Sequence, residues 1–548
     1  MSRNFLFLSV VLFSLNSCNP SKMKVDFIVS NASVYTVDQS FSRAESFAVK
    51  DGKYLAIGTN QEILSKYSSD KILDCSGSAV FPGFIDAHCH FYGYGMDMMQ
   101  YATLDGLTDK ESIYKKLQEH QKKNGGDWVL GRGWDQNLWS EKAFPDNERL
   151  NQIFPDIPVY LVRVDGHAAW CNANALEMAG VNANTKVDGG DVISKNGKPS
   201  GVLIDNAMQL VFNHIPAPTV ELRTRALLEA QKNCFAVGLT SVTDCGLPKE
   251  TILQIDSLQK KGSLLMQLNV MMDPSPENME YFLKKGPYET DKLQVRSIKL
   301  YADGALGSRG AYLLADYSDQ PGNKGILMNS ESYFDDICSK AYAAGYQVAT
   351  HCIGDGANRF ILNIYGKYLK GKNDKRWRIE HAQVVNSADF DLFGKYSVIP
   401  SVQATHATSD MLWADERLGS ERIKGAYAYK QLLNQNGWIP NGTDFPIEDI
   451  SPIKTFYAAV VRKNLEGKPD GGFQMENALS KEEALRSITI WAAKAGFQES
   501  KIGSIEIGKA ADFVVLDTDI MQCDEKSILK TKVLKTVTGG VTVFDSVN

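Results

Sequence analysis

Residues 81–90 read Phe81-Pro82-Gly83-Phe84-Ile85-Asp86-Ala87-His88-Cys89-His90. An apolar run ends in His-x-His, and successive side chains of a strand alternate faces, so His88 and His90 point the same way. Two neutral imidazoles at a strand's end can hold one divalent cation and leave room for water and further ligands. An isolated His-x-His is as readily a coincidence near a turn. Its weight here comes from the rest of the chain, which supplies further ligands in matching settings.

Downstream, short apolar runs alternate with helix-like stretches, the pattern of a parallel α/β structure. Strands are predicted at 239–243, 266–271, 297–301, 346–350, 377–380, 398–402 and 438–441. With the His-x-His strand they make eight, the number of a TIM barrel. The fourth carries Lys299 between Ile298 and Leu300, the fifth ends at His351, the sixth at His381, and the eighth runs into Gly442-Thr443-Asp444. Catalytic groups of such barrels project from the C-terminal ends of the strands, so these residues converge although far apart in the chain. Each alone has an ordinary structural explanation, such as a satisfied buried histidine or an Asp that caps a helix. Lys299 fits that explanation least, because Lys is almost never fully buried unless paired.

Both ends of the chain are β-rich. Alternating segments at 25–29, 46–49 and 54–57, with a hairpin signal at Asp51-Gly52-Lys53, are matched by 511–516 and 541–544 around Gly539-Gly540. The simplest arrangement is a small β-sandwich built from 23–80 plus 502–548, flanking a barrel at 81–501. The stretch from about 91 to 234 is too long for one barrel connection and carries its own strand signals at 128–130 and 159–162. It is read as an inserted α/β subdomain over the barrel mouth.

The chain has 548 residues, 43% hydrophobic, with a formal net charge of -6. That suffices for a large enzyme domain plus a companion, and without a basic stripe there is no electrostatic case for nucleic acid. Met1-Ser2-Arg3-Asn4 followed by apolar sequence from Phe5 to Leu15 has the shape of a secretory signal, too short to span a bilayer as a helix. Leu15-Asn16-Ser17-Cys18 resembles a bacterial lipobox, with Cys18 as the lipidated first residue of the mature protein. The expectation is export to a bacterial cell envelope, with a lipid anchor as the sole membrane contact; plain secretion is the alternative. The other eight Cys form no Cys-x-x-Cys pair and read as small buried thiols.

Further strings stand in order along the chain: Gly131-Arg132-Gly133-Trp134-Asp135, Asp165-Gly166-His167-Ala168-Ala169-Trp170 and Lys299-Leu300-Tyr301-Ala302-Asp303-Gly304-Ala305-Leu306-Gly307-Ser308-Arg309-Gly310. After them come His351-Cys352-Ile353-Gly354-Asp355, Arg378-Ile379-Glu380-His381-Ala382-Gln383, Ser401-Val402-Gln403-Ala404-Thr405-His406 and Gly442-Thr443-Asp444-Phe445-Pro446. Together with 81–90 they resemble the amidohydrolase superfamily, specifically the amidohydrolase family 3 branch that includes N-substituted formamide deformylase-like proteins, of the binuclear metal type.

The resemblance implies a TIM-like (β/α)8 metal-dependent hydrolase acting on carbon–nitrogen bonds other than peptide bonds. Its small-molecule substrate would be an amide, an N-substituted formamide or a cyclic amide. Two divalent cations, zinc by expectation, would be held by His88, His90 and Asp444 and by His351 and His381. Lys299, carboxylated by CO2, would bridge them, and a hydroxide shared by the metals would attack while Asp444 moves the proton. Trp134, Asp135 and His167 would line the pocket, and Arg309 and His406 would hold a carbonyl or carboxylate. Glu380, next to His381, is expected to face away from the metals in a packing or supporting role. A homo-oligomer is left open. Two other classes compete: a mononuclear heterocycle deaminase, against which Lys299 argues, and a non-catalytic envelope binding lipoprotein, which has no need of Asp444.

Overall fold

A computed structural model describes residues 22–546. The expected signal segment 1–18, with Cys18, lies outside the described residues.

Seven strands, Phe84–Cys89, Leu239–Leu247, Gln267–Met272, Leu293–Tyr301, Gln347–Cys352, Arg378–His381 and Ile399–Ser401, pair in parallel in chain order. They are almost continuously buried, as strands covered on both faces must be. The predicted eighth strand at 438–441 is not one. Pro440, near its centre, has no N–H to give to a ladder. The segment still closes the barrel: Val402 N–H donates to Pro440 O at 3.1 Å and Gly442 N–H to Val402 O at 2.9 Å. On the other side Asp444 N–H donates to His88 O at 2.8 Å.

The outer helices follow from local sequence. Glu331–Ala344 begins at Ser330, whose side chain accepts from Tyr333 N–H, and stops at Gly345 with φ 75°. Its buried residues Phe334, Ile337, Cys338 and Ala341 recur at i, i+3, i+4 and i+7, one stripe facing the barrel.

The inserted stretch forms its own six-stranded mixed sheet, from Ala102–Thr103 to Lys198–Asp205. Trp134, Trp139 and Trp170 fill one core cluster there, and Leu130, Tyr160 and Leu203 another. The helices at either end of 91–234 behave differently. Phe91–Gln100 and Val220–Ala236 put Phe91, Leu227 and Cys234 into the main barrel core. They cross at Gly95, where a Cβ would lie 2.2 Å from Ala226 O. The separately packed part of the insertion is therefore narrower than the stretch read from the sequence.

Two further sheets face each other. Val29, Phe47 and Tyr54 of a four-stranded sheet pack on Val80, Phe513, Val515 and Val537 of a six-stranded one. Strand Ala79–Pro82 pairs antiparallel with Phe513–Leu516, so both ends of the chain share one sheet. That sheet delivers the chain directly into the first barrel strand. The eight described Cys are all free, seven of them buried.

Candidate active site

The strand ends bring His88, His351, His381 and Asp444 to one buried point, none more than 5% exposed. His88 Nε2 and His90 Nε2 each lie 3.3 Å from Asp444 Oδ1. The ring of His381 is 4.8 Å from that of His88 and 4.6 Å from that of His351, centroid to centroid. Ligand atoms of His88, His381 and Asp444 all lie within 4.8 Å of one another. This trio draws on both predicted ligand sets, so the two sets adjoin. Lys299, 1% exposed, places Nζ 3.3 Å from His88 Nε2.

The backbone turns sharply where two of these candidate ligands are presented: φ is 71° at His381 and 62° at Asp444. Positive φ at non-glycine residues is uncommon and gathers at functional sites. At His381 it breaks strand alternation, with a consequence for Glu380. Glu380 does not face away from the centre as alternation predicts. Its Oε2 accepts from His88 Nδ1 at 2.5 Å, which leaves His88 Nε2 turned to Asp444 and Lys299. Arg378 clamps Glu380 in turn, with Nε 2.6 Å from Oε1 and Nη2 2.9 Å from Oε2. Asp86 ties the first strand to the segment carrying Asp444. It accepts from His88 N–H at 3.0 Å and from the Thr443 hydroxyl at 2.7 Å, and burial pushes its carboxyl up to about 6. Gly442 is required beside it, since a Cβ there would lie 2.5 Å from His88 N.

The donor set fits a metal. His381 Nδ1 is buried without a hydrogen-bond partner among the described residues, a cost of about 1–3 kcal/mol unless something else satisfies it. Burial drives the imidazoles of His351 and His381 well below the ordinary range, which favours the neutral form that a cation site needs. Burial alone would raise the carboxyl of Asp444, but the charge of His88 and the hydrogen bonds of His88 and His90 hold it well below. Around Lys299, burial acts to neutralise the amine. Tyr301, Cys245, Glu380 and Asp444 outweigh it and hold the group above its ordinary value. Divalent charge placed beside the amine would act in the same direction as burial, toward the neutral form.

Above these residues opens a cavity of about 980 Å³ between the barrel end and the insertion. Of the predicted substrate residues, Asp135, His167 and His406 line it, and Trp134 and Arg309 do not. Trp134 is fully buried in the insertion, its indole N–H donating to Leu161 O at 2.8 Å. Arg309 turns to Asp319, with Nη2 2.8 Å from Oδ2. Asp135 and Asp165 each lie 2.5 Å from the buried guanidinium of Arg163, so Asp135 serves first to hold that cation. His406 stacks on His381 at 5.7 Å and 18° and sets Nε2 3.7 Å from Asp444 Oδ2. Residues missed in the sequence include Tyr301, Arg163, Asp205, Asp410 and Glu448, all lining the cavity. Tyr301 lay inside one of the strings, Arg163, Asp410 and Glu448 stood within a few residues of one, and Asp205 had no local signal. Burial pushes the carboxyl of Glu448 up to about 7.

A closed parallel barrel whose strand ends gather imidazoles, a carboxylate and a buried lysine defines a metal-dependent hydrolase. Over residues 71–544 the chain matches the amidohydrolase family. It belongs to that family and is a hydrolase acting on carbon–nitrogen bonds. It is 33% identical over 546 residues to Protein LONG AFTER FAR-RED 3 of Arabidopsis thaliana, covering 96% of this chain and 92% of that one. It is 27% identical over 552 residues to N-substituted formamide deformylase of Arthrobacter pascens, covering 95% and 98%. Among solved structures it is similar to an uncharacterized metal-dependent hydrolase from Pyrococcus horikoshii OT3, with a TM-score of 0.74 at 27% identity, covering 91% of this chain and 99% of that one.

Proposed function

We propose that the protein hydrolyses an amide, an N-substituted formamide or a cyclic amide with two divalent cations, zinc in this reading, bound at the barrel end. The observation that carries this is the Lys299 amine, buried among imidazoles and carboxylates and 3.3 Å from His88 Nε2. In this reading His88, His90 and Asp444 hold one cation and His351 and His381 the other. Lys299 bears CO2 as a carbamate between them, since an ammonium cannot ligate and a carbamate offers two oxygens. Imidazole and carboxylate donors suit zinc. When bound, the cations supply a nucleophile from water at neutral pH and polarise the substrate carbonyl.

Asp444, kept deprotonated by its histidine neighbours, accepts the proton of the attacking water and passes it to the leaving nitrogen. His406 lines the same space and is assigned to the substrate carbonyl. Likeness to N-substituted formamide deformylase supports the formamide form of the reaction. The test is metal content together with turnover. Zinc-loaded protein should hold two equivalents and convert N-heptylformamide to formate and heptylamine. One equivalent, with ammonia released from aminated heterocycles instead, would overturn the reading in favour of a deaminase.

We also infer a composite unit of 23–80 with 502–548 beside a barrel unit at 81–501, and an exported protein anchored at Cys18. The apolar run 5–15 followed by Leu15-Asn16-Ser17-Cys18 supports export. Cys18→Ala should leave an unprocessed or soluble form; wild type found in the cytoplasm with Met1 retained would refute export.

A further inference from the structure

Two residues of the insertion meet over the barrel end. Strands Ala168–Cys171 and Lys198–Asp205 pair antiparallel with Ala168 opposite Ile204. One step further sets His167 opposite Asp205, and Asp205 N–H donates to His167 O at 3.1 Å. Directly opposed residues of antiparallel strands share a face, so their side chains can pair. They do: His167 Nδ1 is 2.7 Å from Asp205 Oδ1.

The rest of Asp205 is committed to nothing else. Its side chain is fully buried, and its backbone has φ 48°. Its Oδ2 sits against two glycines of the loop after the fourth barrel strand. A Cβ added at Gly304 or Gly310 would lie 2.3 or 2.6 Å from that oxygen. No hydrogen bond reaches Oδ2 among the described residues. His167 is thus the one side chain that Asp205 serves. The His167 ring in turn lies 4.9 Å from that of His351 and lines the cavity, with no hydrogen bond at Nε2 among the described residues. A carboxylate only accepts, so Nδ1 carries the shared proton and Nε2 is presented to the cavity.

We propose that His167 is a catalytic residue that hydrogen-bonds the scissile amide through Nε2, and that Asp205 is the positioning residue that fixes its ring. The insertion then supplies part of the active site as well as covering it. This rests on the amide reading given above.

The test is a double-mutant cycle on the zinc-loaded full chain with N-heptylformamide. His167→Asn keeps a side-chain N–H for Asp205 but has no atom where Nε2 was. Asp205→Asn keeps the shape that fits the glycine cradle, and Asn tolerates positive φ. Each single variant should lower kcat/KM at least about tenfold, chiefly in kcat, with zinc content and Tm unchanged. In the His167→Asn background, Asp205→Asn should cost no more than about twofold further. Independent, multiplying losses would make Asp205 a residue of the fold alone and overturn the proposal. Loss of zinc from His167→Asn would make His167 a ligand and overturn it equally. A second readout needs no turnover: crystals of the zinc-loaded wild type soaked in hexylurea should show Nε2 within about 3.2 Å of the urea group. No bound urea, or a ring turned away from it, would refute the contact. Hexylurea bound through Nε2 in an enzyme that cleaves no amide would instead sink the amide reading and leave the contact standing.

Discussion

Glu380→Gln isolates the buried support beneath the centre. Glu380 and Arg378 are both fully buried; both Glu380 oxygens face the Arg378 guanidinium, and Oε2 also accepts from the Nδ1–H of His88. Burial would raise its carboxyl, but Arg378 and then His88 hold it down from 4.5 to about 2. At about 1.36 kcal/mol per pH unit, that shift is worth about 3 kcal/mol to the metal-stripped fold. This agrees with the ~3–5 kcal/mol lost when one partner of a buried ion pair is removed. The sign follows from the depressed value: the contribution is complete above about pH 4.5 and disappears as pH falls through about 2. Calorimetry of metal-stripped protein at pH 7 should show Tm lowered by a few degrees for the variant, with the gap closing below about pH 4.5. Because Glu380 also sets which nitrogen His88 turns to the centre, zinc affinity should weaken about 10–100-fold in a chelator competition. A variant with Tm within a degree of wild type and unchanged zinc affinity would refute the assignment of Glu380 as the residue that holds His88.

Asp444→Asn should retain most bound zinc yet lose about 10²–10⁴-fold in kcat, the usual worth of general acid–base catalysis; near-normal kcat at saturating substrate would move the proton to another residue. Lys299→Ala should release at least one zinc per chain and lose activity, with partial return on adding formate or acetate. Lys299→Arg should show no return, because a guanidinium stays charged and forms no carbamate; intact mass of the wild type should show CO2 on Lys299. Trp134→Ala should destabilise the insertion by about 3–5 kcal/mol while the barrel keeps its zinc, measured by calorimetry and metal analysis. A changed KM at unchanged stability would return Trp134 to the pocket.

The strand pattern and the polar residues that gather at the barrel end were legible in the sequence because both are local. A buried strand is an apolar run, and His88, His90, Lys299, His351 and His381 stand at the end of one or within it, while Asp444 follows the short segment 438–441 that closes the barrel. The rest was decided by tertiary structure, for identifiable reasons. Pro440 denies the eighth segment a ladder, so closure rests on a few hydrogen bonds to Val402, Ala87 and His88 that no periodicity announces. Glu380 was assigned to the wrong face because alternation assumes ordinary strand dihedrals, and the φ of 71° at His381 does not obey it. Trp134 and Asp135 are neighbours in one string, yet Trp134 ends a strand and fills a core while Asp135 begins the following turn and lines the cavity. Arg309 was lost to Asp319, an ion pair formed across a loop. Asp205 had no local signal at all: its meaning comes from a register that sets it opposite His167, thirty-eight residues away, and from two glycines of the barrel that leave room for its oxygen. Sequence alone determined which chemistry the chain carries at its strand ends. Which side chains face that chemistry was decided by strand register, backbone twist and close approach, which exist only once the chain is folded.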